Sequence, residues 1–345
     1  MSTPLPEAGR CADPADVPVG EDGPAGDDGP AGEDGPAGED IAVAEDGPAG
    51  EEMAVGEEVA VGEVIVDWYA GAARDLPWRA PGTDPWAVLV SEVMLQQTPV
   101  ARVEPVWRAW LERWSTPAQL AAASPADVIR AWGKLGYPRR ALRLREAAVA
   151  ITERHAGVVP ADVDELEALP GIGTYTARAV ACFGYGSRQP VVDTNVRRVV
   201  ARLVHGRAEA APARAADLAD IAALAPVDDA RAVRFSVAVM ELGALVCVAG
   251  TPRCGICPVR DRCAWRLAGS PAHDGPARRV QKFAGTDRQV RGRLLDVLRA
   301  APEPVPAEAL TLAWDDAVQR SRCLDSLLVD GLVEQAADGL FRLPS

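Results

Sequence analysis

Apolar side chains recur three and four positions apart in eight stretches of this chain: 86–97, 104–114, 127–134, 141–151, 174–183, 195–204, 215–224 and 231–246. That spacing gathers them on one face of a 3.6-residue turn and predicts amphipathic helices. Few segments alternate as strands do. Asp84-Pro85 ahead of WAVLVSEVMLQQ supplies an N-cap and a proline at the first helical position, and Ser124-Pro125 ahead of ADVIRAW does the same. The pattern predicts an all-α body over 64–268. Residues 269–287 then read as a linker, and two further helical stretches (288–301, 315–331) precede a hairpin turning at Ala337-Asp338-Gly339. Helices followed by a short hairpin predict a winged-helix-like module over 288–345.

Before residue 64 the pattern is different. EDGPAG or DDGPAG stands at 21–26, 27–32, 33–38 and 45–50, and no aromatic residue precedes Trp68. Gly and Pro in every unit, with so little to bury, cannot offset chain entropy, so residues 1–63 are expected to form a disordered acidic arm. A slack repeat without function explains it better than a regulatory acidic arm does.

Charge follows the same division. The whole chain carries 36 Lys+Arg against 50 Asp+Glu, a net −14, which taken whole argues against a nucleic-acid partner. Eighteen of those acids and one base lie in 1–63, leaving 32 acids and 35 bases in the rest, a net +3. The objection to DNA therefore falls on the arm and not on the body. No run of 18 apolar residues occurs, and MSTPLPEAGR lacks the features of an export signal. A soluble cytoplasmic protein is expected.

Four constellations carry chemistry. LPGIGTYTARAV at 169–180 places Gly171 and Gly173 at a helix N-terminus, where bare amides and the helix dipole suit a phosphate. A tight αα turn with no ligand accounts for it equally well. Cys247, Cys254, Cys257 and Cys263 are spaced C-x6-C-x2-C-x5-C, and thiolates so close together hold a metal centre. Disulfides are disfavoured without an export signal, while zinc competes on spacing alone, although six-two-five is unusual for a zinc ribbon. Cys182 looks like core packing. Glu92 sits mid-helix among Val88, Leu89, Val93 and Leu95. A carboxyl in apolar surroundings has a raised pKa and suits a general acid, against the plain alternative of a surface glutamate. Ser91, Gln96, Gln97 and Thr98 make the stretch more polar than a core helix requires. Asp193 reads as the N-cap of a helix starting near Thr194, and its cap bonds are expected to keep it ionised.

Together, LPWR (76–79), SEVMLQQT (91–98), LGY (135–137), LPGIGTYTA (169–177), VVDTNVRRV (191–199) and the four-cysteine spacing resemble the helix-hairpin-helix DNA glycosylases, most of all the MutY-type adenine DNA glycosylases. They stand in family order from about 76 to 265. The resemblance implies a two-lobed helical body with a [4Fe-4S] cluster on the four cysteines, in preference to zinc. It implies removal of adenine mispaired with 8-oxoguanine or G in double-stranded DNA. Glu92 stands at the family's adenine-protonating acid and Asp193 at the carboxylate that stabilises the sugar oxocarbenium ion, with Asn195 and Tyr175 beside them in the catalytic set. Gln96, Gln97 and Thr98 match residues that engage the lesion pair, and Tyr137 matches the wedge inserted beside 8-oxoguanine. Arg79, Gly171, Gly173 and Arg253 complete the expected DNA contacts.

Three departures qualify the match. Thr194 replaces a common glycine, and Pro138 follows Tyr137 where an aromatic is frequent. Bifunctional endonuclease III-like relatives carry a Schiff-base lysine in the hairpin. Tyr175 stands there in this chain, and its two lysines, Lys134 and Lys282, lie elsewhere. The resemblance thus implies a monofunctional glycosylase, acting as a monomer at the nucleoid. The 82 residues after Cys263 carry no Nudix-type box, as in short actinobacterial-type members. Discrimination of 8-oxoguanine:A from G:A is therefore expected in reduced degree. An endonuclease III-like pyrimidine-lesion glycosylase and AP lyase is opposed by Tyr175. A non-catalytic iron–sulfur DNA-binding protein is opposed by the presence of both Glu92 and Asp193.

Overall fold

The structure, a computed structural model, describes residues 55–273, 275 and 283–345. The acidic repeats expected to be disordered, and residues 274 and 276–282 of the expected linker, lie outside the described residues.

The chain runs α1 (Val55–Ala72), α2 (Pro85–Leu95), α3 (Val100–Arg113), α4 (Pro117–Ala121), α5 (Pro125–Trp132), α6 (Arg139–Arg154), α7 (Val163–Glu167) and α8 (Thr174–Tyr185). It continues through α9 (Thr194–Leu203), α10 (Ala216–Leu224), α11 (Asp229–Leu245) and α12 (Ala264–Leu267). All eight helices predicted from periodicity are present. The expected caps form as well: Asp84 accepts from Trp86 N at 2.8 Å and Ser124 from Asp127 N at 3.1 Å. The short α4 and α7 escape the periodic pattern because a five-residue helix spans little more than one turn. The boundary expected at residue 63 is corrected. It falls inside α1, where Val61, Ile65 and Tyr69 are buried at i, i+4 and i+8. Three glutamates in the first half of α1 had assigned it to the acidic arm.

Two lobes share the body. α2 to α8 surround a tryptophan-rich core in which Trp110 meets Trp114 and Trp132 edge-on, at centroid distances of 4.7 and 5.7 Å. α1 and α9 to α11 form a second core of Val, Leu and Ile side chains around Phe235. The chain starts in the second lobe, builds the first, and returns. The segment 73–84 and the segment 186–193 therefore both cross between lobes.

The C-terminal part comprises α13 (Asp287–Ala300), α14 (Ala307–Thr311), α15 (Ala317–Val329) and an antiparallel pair, β1 (Glu334–Gln335) and β2 (Phe341–Arg342). Val305 and Phe341 exchange backbone hydrogen bonds at 2.8 and 2.7 Å, adding a third short strand. Gly339, at φ +85°, lies in the hairpin turn, as its sequence position predicts. This is a winged-helix arrangement. Its core includes Ile129 of α5, so the module is seated on the first lobe by apolar contact.

Candidate functional site

Glu92 lies on α2, whose residues Trp86 to Met94 are all buried, so its carboxylate cannot reach water along its own helix. The residue is 6% exposed, and its Oε2 accepts a hydrogen bond from the Tyr175 hydroxyl on α8 at 2.9 Å. Burial pushes the Glu92 carboxyl up to about 7, helped by the charge of Asp193 and opposed by the Tyr175 hydroxyl and the Arg79 charge. Burial, and then the negative charge of Glu92, hold the Tyr175 phenol well above its ordinary range, so it remains a donor. Glu92 is therefore a buried carboxyl held between α2 and α8.

The second carboxyl comes from the other lobe. Asp193 caps α9: one oxygen accepts from Val196 N at 2.7 Å, the other from Asn195 Nδ2 at 2.8 Å. Asn195 Oδ1 in turn accepts from Arg198 at 2.7 Å, and Arg198 also donates to the carbonyl oxygens of Gly243 and Cys247, at 2.8 and 2.7 Å. Burial raises the pKa of Asp193, and the Val196 and Asn195 hydrogen bonds and the Arg198 charge only partly pull it back. Thr194, where relatives favour glycine, is an ordinary first residue of α9.

A third group was not foreseen. Glu241 on α11 is fully buried and accepts from Arg74 Nε and Nη2, at 2.7 and 2.8 Å, and from Arg79 Nη1 at 2.8 Å. Burial works against its ionisation, but the Arg74 hydrogen bonds and the Arg79 charge outweigh it and hold the carboxyl down at about 2. Arg79, expected among the DNA contacts, is thus turned inward and paired with Glu241. Its charge reaches Glu92 and Tyr175 too. The signal in the sequence was a lone carboxylate inside the apolar stretch 231–246, the same kind of signal that marks Glu92.

The residues expected at the lesion lie together on the first lobe. Gln96 ends α2 and reaches Thr176 Oγ1 at 3.3 Å, and Gln97 follows in the left-handed region at φ +53°. Thr98 Oγ1 donates to Leu135 O at 3.0 Å. Arg140 donates to Val93 O at 2.8 Å, to Thr98 Oγ1 at 3.0 Å and to Gly136 O at 3.2 Å. The turn that carries Tyr137 is thereby bolted to the turn that carries Gln97. Tyr137 itself is exposed, in the left-handed region at φ +46°.

The hairpin joins α7 to α8. Gly171 has φ +75°, and a Cβ there would stand 2.7 Å from Arg143 Cβ, so both its conformation and its space require glycine. Gly171 and Gly173 are exposed while Ile172 is buried between them, which leaves the first amides of α8 facing outward. Arg253 makes no side-chain hydrogen bond or ion pair among the described residues. Its backbone N donates to Val246 O at 2.9 Å.

Cys247, Cys254, Cys257 and Cys263 line one cavity walled by Val246, Pro252 and Trp265 and flanked by Arg202, Arg260 and Arg266. Four thiolates there would concentrate negative charge that the guanidiniums offset. Among the described residues no three His, Cys, Asp or Glu converge on a single-ion position. Four cysteine sulfurs around one cavity are the donor set of an iron–sulfur cluster. Arg202, only 4% exposed, braces the loop: it donates to Val248 O at 2.8 Å and to Cys247 Sγ at 3.4 Å. Cys182 is a buried core residue, as expected.

Residues 90–221 match the HhH-GPD superfamily of base excision DNA repair proteins, and residues 247–263 match the iron-sulfur binding domain of endonuclease III. Over 280 residues the chain is 63% identical to the adenine DNA glycosylase of Mycolicibacterium smegmatis, spanning 81% of this chain and 94% of that protein. It is 62% identical to the adenine DNA glycosylase of Mycobacterium tuberculosis, again over 81% of this chain and over 92% of the relative. The solved structure of a thermostable thymine-DNA glycosylase superposes with a TM-score of 0.57 at 24% identity, over 63% of this chain and all of the other, a likeness of fold.

Proposed function

The chain belongs to the adenine DNA glycosylases of the helix-hairpin-helix base excision repair superfamily, and from that premise we propose that it hydrolyses the glycosidic bond of adenine opposite 8-oxoguanine or G, with Glu92 as acid and Asp193 as anion. The observation that carries this division of roles is the buried Glu92, held near pH 7 and bonded to Tyr175, in the charge field of Asp193. A base in a duplex must leave the stack before its glycosidic bond can be reached. At neutral pH a substantial fraction of Glu92 holds a proton to deliver to the departing adenine. As that bond breaks, the sugar becomes cationic, and Asp193 supplies the opposing charge. Water then adds to the anomeric carbon, its hydroxyl staying with the sugar and its other proton leaving. Tyr175 keeps Glu92 aligned, and Asn195 does the same for Asp193.

In this reading Gln96, Gln97, Thr98 and Tyr137 fill and wedge the gap at the lesion pair. The 171–173 amides and Arg253 grip phosphates. Residues 55–268 form the catalytic body and 283–345 an attached module. The enzyme acts as a monomer on the nucleoid in the cytoplasm. No helix among the described residues is long and apolar enough to cross a membrane. Residues 247–263 hold a [4Fe-4S] cluster, which supplies a rigid cross-link between the end of α11 and α12 when bound. Base excision needs no electron transfer.

Single-turnover excision on 8-oxoguanine:A, G:A and A:T duplexes tests the proposal. Adenine release from the two mispairs, lost in Glu92→Gln and Asp193→Asn, is expected. No release by the parent, or equal rates on A:T and 8-oxoguanine:A, overturns it. Tyr175 at the lysine position supports a monofunctional enzyme, so borohydride should trap no protein–DNA adduct.

A further inference from the structure

Tyr137 is held from two sides, and one of them belongs to the C-terminal module. Arg140, on the helix that follows the wedge turn, lies 5.6 Å from the Tyr137 ring centroid. Arg288, the second residue of α13, lies 4.2 Å from it, and its Nη1 donates to the Tyr137 hydroxyl at 2.8 Å. Its Nη2 stands 3.4 Å from where a Cβ on Gly136 would be, so the guanidinium rests against the turn as well as the ring. Arg288 and Tyr137 are both exposed, so this pair is not a by-product of core packing. The module is firmly seated: its core takes in Ile129, Arg299 Nε donates to Ile129 O at 3.2 Å, and Arg139 pairs with Asp330 at 3.2 Å.

We propose that Arg288 is a positioning residue for the Tyr137 wedge, which makes the C-terminal module part of lesion recognition. This rests on the reading of Tyr137 as the wedge. A ring that must enter a base stack loses rotamer freedom on doing so, and holding it beforehand removes part of that cost. A planar guanidinium suits the task. It stacks on the ring before insertion, and once a base takes that face its fork is free for the adjacent phosphate. The module thereby supplies, by contact with the wedge, a contribution to specificity that the catalytic lobes lack.

The test measures binding of the full-length holoprotein to a duplex with a non-cleavable 2′-fluoro-adenosine opposite 8-oxoguanine, and to the matching A:T duplex. Arg288→Ala, Arg288→Lys, Tyr137→Ala and the double variant are compared, with melting temperatures as the folding control. Arg288→Ala is expected to weaken lesion binding about tenfold, with A:T binding changed less than about twofold. Lysine should restore little of it, because an ammonium lacks the planar fork. In the Tyr137→Ala background the Arg288 effect should vanish. With cleavable substrate the loss should appear in the half-saturating concentration and not in the plateau rate. Additive effects, equal weakening on both duplexes, or full rescue by lysine would make Arg288 an ordinary phosphate contact and overturn the proposal. No effect of Tyr137→Ala on lesion binding would instead overturn the wedge reading, and the proposal with it.

Discussion

At the residue scale, the proposed chemistry turns on one proton. Glu92 keeps it to about pH 7 in the folded protein, against an ordinary value of 4.5. Below pH 4.5 the folded and unfolded chains both hold it. Between pH 4.5 and 7 only the folded chain does, so stability falls as pH rises through that window, by up to about 3 kcal/mol. Glu92→Gln should therefore abolish excision while raising the melting temperature relative to the parent at pH 8 and not at pH 4. In the parent, kcat/KM should decline above about pH 7 as the acid is lost. Glu241 bears on that proton through Arg79, whose charge reaches Glu92. Glu241→Gln removes the charged partner of Arg79 and Arg74 and leaves two guanidiniums unpaired, one of which acts on Glu92. Their uncompensated charge should move the alkaline limb of the pH–rate profile to lower pH, and the broken buried pair should cost about 3 kcal/mol, read by denaturant melts. Glu92 was legible in the sequence because its apolar neighbours made it anomalous. Arg74 was not, since an arginine next to a helix end is unremarkable until its partner 167 residues away is known.

At the element scale, the site depends on how closely α11 approaches the start of α9. Gly243 permits that approach: a Cβ there would stand 2.7 Å from Asn195 Cβ and 2.9 Å from Asn195 O. Gly243→Ala should push the cap of α9 aside and take Asp193 with it. An excision rate lowered at least about tenfold, with a stability loss of about 1–3 kcal/mol, is expected, and single-turnover assays with thermal melts will read both. An unchanged rate would show that the α9 cap tolerates displacement. The helices themselves were readable from periodicity, since eight of them bury a regular apolar face. The segments that bring the lobes together were not. Neither 73–84 nor 186–193 carries a repeating pattern, and their courses follow from the two cores they connect.

At the scale of the whole molecule, the net charge of −14 divides at the first described residue. Residues 1–54 hold 15 of the 50 acids and one of the 36 bases, so residues 55–345 carry 35 of each. Removing 1–54, a cut that spares α1, should strengthen non-specific DNA binding at low salt, with the two proteins converging as salt rises. Fluorescence anisotropy on an undamaged duplex across a salt series checks it, and superimposable curves would show the arm to be inert. The sequence by itself determined the helices, the caps, the cysteine cluster, the hairpin and the two carboxyls proposed for catalysis. Each of these depends on local spacing or on a residue type out of keeping with its neighbours. Only the tertiary structure decided that Arg79 turns inward to Glu241, that burial outweighs the cap at Asp193, and that Arg288 lies on Tyr137. Those outcomes depend on desolvation and on partners more than a hundred residues away for Arg79 and Arg288, quantities that exist only once the lobes and the C-terminal module have closed on one another.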